Sequence, residues 1–108
     1  MGASLAAGGD TKQIKLVSLT RSNKSGKKYK AVFKDGTRSK TTHFGSKGMD
    51  DYTITHDKAQ RSRYRQRHKK DLHTGDPTRA GFLSYYVLWG NSPSVRANIK
   101  SYKSKFHL

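Results

Sequence analysis

Between Lys28 and Lys34 apolar and basic residues alternate, so that Tyr29, Ala31 and Phe33 share one face of an extended segment and Lys28, Lys30 and Lys34 the other. That period predicts a strand with one face on a core and one in solvent. Upstream, Ile14, Leu16, Val17 and Leu19 predict another strand over Gln13 to Thr20. Its alternation slips between Leu16 and Val17, which a β-bulge would absorb. The polar run SNKSGK joins the two, and Asp35-Gly36 predicts a two-residue hairpin turn. A threonine-rich third strand, Thr37 to Phe44, then carries Arg38 and Lys40. The simplest assembly is a three-stranded antiparallel meander with a basic outer face.

Beyond the glycine-bearing connector from Gly45 to Asp51, Tyr52 and Ile54 are expected to point inward from an extended stretch. Thr55 is the expected N-cap of a basic helix, with Asp57 in its first turn complementing the dipole. That helix runs from Lys58 to Lys70, a segment without Gly, Pro or β-branched residues, and stops near Asp71. Asp76-Pro77 predicts the start of the next helix, Thr78 to Trp89, which is apolar nearly all round and ends at Gly90. Ser92-Pro93 opens a last helix, in which Val95, Ile99, Tyr102 and Phe106 form one stripe and Arg96, Lys100, Lys103 and Lys105 the surface. The stripe is expected to pack on Phe82, Tyr86 and Trp89. The predicted fold is therefore α+β: a three-stranded antiparallel β-meander, a basic helix and a C-terminal helical pair. It forms a single basic domain over residues 13–108, preceded by a flexible arm of small and polar residues over 1–12. No internal repeat interrupts it.

Charge changes the picture most. The chain of 108 residues holds 23 Lys and Arg against seven acids, a net charge of +16. All seven acids are Asp, and Asp10, Asp35, Asp57 and Asp76 suit turns or helix starts, which leaves few carboxylates for catalysis. Such an excess selects polyanionic partners. A hydrophobic fraction of 31% is low for a packed domain, but four Phe, six Tyr and one Trp can bury large areas. The absence of cysteine excludes disulfides and thiolate metal sites. No apolar run is long enough to span a membrane. The start MGASLAAGG lacks the features of a signal peptide, and Ala6 stands where a myristoylation pattern wants Ser or Thr.

The thirteen residues from Lys58 to Lys70 carry seven Lys or Arg and no acid. At 100° per residue Arg61, Arg65 and Lys69 share one stripe and Arg63, Arg67 and Lys70 a second, leaving the line Gln60, Tyr64, His68 for a core. Like charges at i,i+4 spacing oppose an isolated helix of this kind, and nucleic-acid phosphate is the natural source of the missing negative charge. The expected phosphate contacts are Lys58, Arg61, Arg63, Arg65, Arg67, Lys69 and Lys70. A second surface is expected from Lys28, Lys30, Lys34, Arg38 and Lys40. Asn and Gln are few and scattered, so backbone contact is favoured over base reading. Tyr29, Tyr52 and Tyr64 sit at inward positions and suit core packing better than base stacking. His56, Asp57, Asp50 and Asp51 invite a metal-dependent nuclease reading, but no ligand spacing of a known site supports it. Gly45 to Gly48 lacks the phosphate-loop pattern.

Several landmarks occur together: AVFKDGT (Ala31 to Thr37), HFGSKGMDDYTITHD (His43 to Asp57), RSRYRQRHKK (Arg61 to Lys70), DPTRAGFLSYYVLWG (Asp76 to Gly90) and the tail positions Ile99, Tyr102 and Phe106. In that order they resemble a family of small basic uncharacterised proteins of giant DNA viruses of algae and protists, over roughly residues 13–106. The resemblance implies a virion setting, with assembly in the host nucleus or a cytoplasmic virus factory, and assigns no functional residue. The expected function is non-enzymatic, sequence-tolerant binding and compaction of double-stranded DNA, or of RNA, without a cofactor, metal or small-molecule substrate. The alternative is a minor capsid or assembly protein contacting acidic shell proteins or the inner membrane.

Overall fold

The computed structural model describes residues 14–108, so the expected arm over 1–12 lies outside the described residues. Strands β1 (Lys15–Arg21), β2 (Lys27–Asp35) and β3 (Arg38–Ser46) form an antiparallel sheet in sequential order. Leu16 pairs with Phe33 and Leu19 with Ala31, and the register shifts by one residue between Leu16 and Ser18. Leu16 and Leu19 are three apart, so without an extra residue they would point to opposite faces. The bulge takes up Val17, which is 50% exposed, and brings both leucines onto the face shared by Ala31 and Phe33. The β2–β3 hairpin turns at Gly36-Thr37, one residue later than the sequence suggested, because Asp35 still pairs with Arg38. Gly36 takes φ +62 while Thr37 keeps a negative φ, the glycine-first arrangement of a type II′ turn.

Four α-helices follow: α1 (Tyr52–Thr55), α2 (Lys58–His68), α3 (Ala80–Leu83) and α4 (Val95–Phe106). A 3-10 segment, Lys69–Thr74, extends α2, and a π-helical turn, Ser84–Leu88, extends α3. The stretch at Tyr52 is thus a helical turn rather than an extended segment. Tyr52 is buried, but Ile54 is 59% exposed, against expectation. Asp51 caps α1 through Thr53 N at 2.9 Å, and His56 ends it at φ +57. Asp57, not Thr55, is the N-cap of α2, accepting from Gln60 N at 3.0 Å. Thr55 instead donates to the Gln60 side chain at 2.9 Å. Similarly, Ser94 rather than Ser92 caps α4, accepting from Ala97 N at 3.2 Å.

Asp76 accepts from the Thr78 amide at 2.9 Å and its hydroxyl at 2.7 Å, so Pro77 and Thr78 form a turn and regular helix begins only at Ala80. Burial pushes the Asp76 carboxyl up, but the Thr78 hydrogen bonds and the nearby Lys40 and Arg79 charges outweigh it and hold its pKa below the usual value.

One core joins sheet to helices: Leu16, Ala31, Phe33 and Phe44 from the strands meet Leu83, Val87, Leu88 and Tyr102. The α4 stripe packs as expected, with the Phe82 and Phe106 rings 5.6 Å apart and those of Tyr86 and Tyr102 5.8 Å apart. Trp89 departs from expectation: its ring partner is Tyr64 of α2, at 4.2 Å and 7° between planes. His68 stacks on the other side of Tyr64 at 4.1 Å and meets Asp71 at 2.9 Å.

Candidate nucleic-acid interface

The wide π-helical turn decides which side chains of α2 remain available. Trp89 N donates to Ser84 O, a five-residue step, and the carbonyls beyond it have no continuing helix to accept from. Asn98 serves one of them, donating from Nδ2 to Val87 O at 2.9 Å and to Ser92 O at 2.6 Å, while its Oδ1 accepts from Ser92 N. Arg65 Nη1 donates to Trp89 O at 3.2 Å and to Asn91 Oδ1 at 3.3 Å. Arg61 Nη1 reaches the carbonyls of Gly90 at 3.4 Å and Asn91 at 3.3 Å. Both guanidinium groups also lie over aromatic faces, Arg61 4.8 Å from the Tyr52 ring centre and Arg65 4.5 Å from that of Tyr85. The negative end of a helix attracts cations, and here two arginines fasten α2 to it.

Arg61 and Arg65 are therefore only partly exposed and spend one guanidinium nitrogen each on packing α2, unlike the other expected phosphate contacts of this helix. Their stripe breaks at Lys69, which lies in the 3-10 segment and is exposed. The second stripe survives: Arg63, Arg67 and Lys70 are exposed, as is Lys58. None of the ion pairs among the described residues uses any of Lys58, Arg63, Arg67, Lys69 or Lys70.

The strand surface divides too. Lys28 Nζ meets the buried carboxylate of Asp51, 2% exposed, at 2.5 Å and donates to Met49 O. It ties the sheet to the connector instead of facing solvent. Arg38 and Lys40 are cross-strand neighbours of Asp35 and Phe33, on the helix-side face of the sheet rather than the outer one. There Lys40 Nζ donates to Thr78 Oγ1 at 2.9 Å. Of the five expected residues, Lys30 and Lys34 remain on the outer face, and Lys15 joins them as the partner of Lys34. The candidate metal cluster does not assemble. Asp51 and Asp57 are helix caps, and no group of three potential metal ligands gathers among the described residues. Among the described residues no helix is long and apolar enough to cross a membrane.

Pattern reading missed the buried polar groups: Asp51, Thr78 and Asn98 are all shielded from solvent. Asn98 did leave a signal, since it falls on the apolar stripe of α4 three residues after Val95 and four before Tyr102.

Over residues 17–68, from the first strand through α2, the chain is similar to a family of unknown function (DUF5754). That stretch contains the basic helix but not α3 and α4, which complete the core. No curated protein and no solved structure matches the chain.

Proposed function

We propose that this protein binds nucleic acid through its backbone phosphates, without base selection and without enzymatic activity, and that it compacts double-stranded DNA. The observation that carries the reading is the set of Lys58, Arg63, Arg67, Lys69 and Lys70 along the basic helix and its extension, exposed and outside every ion pair of the described residues. Arg offers a planar fork to phosphate oxygens and Lys a mobile point charge, and together they release counterions on binding. Compaction follows from a second cationic surface. The helices pack on one face of the sheet, so Lys15, Lys30 and Lys34 on the other face form a surface separate from that of α2. A body with two separate cationic surfaces can hold two duplexes. A virus particle is the setting we propose for this activity, on the resemblance to small basic proteins of giant DNA viruses alone.

The test is a salt titration of binding to duplex DNA, single-stranded DNA and RNA. Replacing Arg63, Arg67 and Lys70 together by Gln should remove about 2.7 from the slope of log affinity against log salt for duplex DNA, about 0.9 per lost contact. An unchanged slope would move the contact to the strand face. Loss of duplex binding by the unaltered protein at physiological salt would replace this reading by contact with acidic virion proteins.

A further inference from the structure

We propose that the crevice between α2 and α4 is a phosphate-binding pocket. A cavity of about 230 Å³ lies there, bounded by Arg65 of α2, Tyr86 of the π-helical turn, Asn91 of the following loop, and Ser101 and Lys105 of α4. Two cations from separate helices line it, and no acid does. Arg65 is already held in place, by the Tyr85 ring face and by two hydrogen bonds that both leave from Nη1. A guanidinium has five N–H donors in a fixed fork, so Nε and Nη2 carry further donors on a side chain with little ordering left to lose on binding. Lys105 Nζ stands 5.8 Å from the Tyr86 ring centre on the opposite wall.

The Tyr86 hydroxyl is a donor at neutral pH. Burial and the neighbouring Tyr85 raise its pKa, with Arg65 opposing them in part. Ser101 and Asn91 add a hydroxyl and an amide. Several donors on two walls suit a tetrahedral oxyanion, whose oxygens point in different directions, better than a planar carboxylate. The volume admits one phosphate with part of a sugar and excludes a base pair. Gly90 is required beside the opening, because a Cβ there would stand 2.2 Å from Tyr86 O.

The phosphate has two possible sources, a nucleic-acid backbone or a free phosphate ester, and inorganic phosphate tests the pocket independently of the nucleic-acid reading. The full chain is titrated with inorganic phosphate at constant ionic strength while backbone amide resonances are followed. The expected result is a saturable shift at the Asn91 and Ser101 amides. Lys105→Gln should weaken it about tenfold, the loss of one charge-assisted contact. Lys103→Gln, which removes the same charge from an exposed position outside the cavity, should leave it within about twofold. Shifts that fail to saturate, or equal weakening by the two variants, would overturn the pocket in favour of diffuse screening. Competition for the same amides by a duplex without terminal phosphates identifies the backbone as the source. Saturation by a mononucleotide that duplex DNA does not displace identifies a free ester.

Discussion

Arg61 and Arg65 differ from Arg63 and Arg67 in where their guanidinium groups find oxygen. The first pair reaches backbone carbonyls at the end of the π-helical turn and lies over Tyr52 and Tyr85. The second pair is exposed and takes part in no ion pair of the described residues. Hydrogen bonds to a charged donor contribute about 1.5–3 kcal/mol to stability, whereas a surface substitution away from such features stays within about 0.5 kcal/mol. Arg65→Met should accordingly lower the unfolding free energy by about 1.5–3 kcal/mol in urea denaturation, and Arg63→Met should leave it nearly unchanged. Equal effects would show that α2 is not held by its arginines. Lys28 belongs with the structural cations: it neutralises Asp51 at 2.5 Å inside the fold, and removing one partner of such a pair would strand the other in the interior.

At the scale of elements, α2 is an unusual helix to find packed at all, since none of its residues is fully buried. Tyr64 supplies its apolar anchor by stacking on Trp89. Burial and the nearby Asp71 raise the Tyr64 pKa, and the Ser84 hydrogen bond and Arg67 offset part of that rise. Trp89 thus serves two neighbours, the core beneath it and the basic helix above. Trp89→Ala should cost about 3–5 kcal/mol, as large-to-small changes of buried aromatic rings do. It should also detach α2, read as loss of amide-exchange protection from Lys58 to His68. A loss below about 1 kcal/mol with α2 still protected would mean that the arginines and caps suffice to hold the helix.

For the molecule as a whole, a net charge of +16 on 108 residues opposes compactness. A polyanion that binds the folded form relieves this repulsion and adds its own binding free energy, about 2.7 kcal/mol at a hundredfold excess over Kd. Heparin or duplex DNA at low salt should therefore raise the melting temperature, and the rise should shrink as salt screens the contacts. No shift at low salt would show that the cationic surfaces do not bind a polyanion in the folded state.

The α+β order, the bulge after Leu16, the apolar stripe of α4 and the position of the basic helix were all legible in the sequence, because each rests on spacing between residues near in the chain. Two-residue and 3.6-residue periods report which side chains share a face. They do not report what that face meets. Nothing local separates Lys28 from Lys30, or Arg65 from Arg63. Lys28 is structural only because Asp51, 23 positions on, is folded against it, and Arg65 only because Trp89 O, 24 positions on, lacks another donor. The π-helical turn that exposes this carbonyl, and the Asn98 side chain that serves Val87 O two residues earlier, likewise follow from packing of α4 against that turn. Tertiary structure alone decided which basic residues stabilise the fold and which remain free for a ligand. A cation goes to whichever unpaired oxygen packing brings within reach, and sequence spacing carries no record of that.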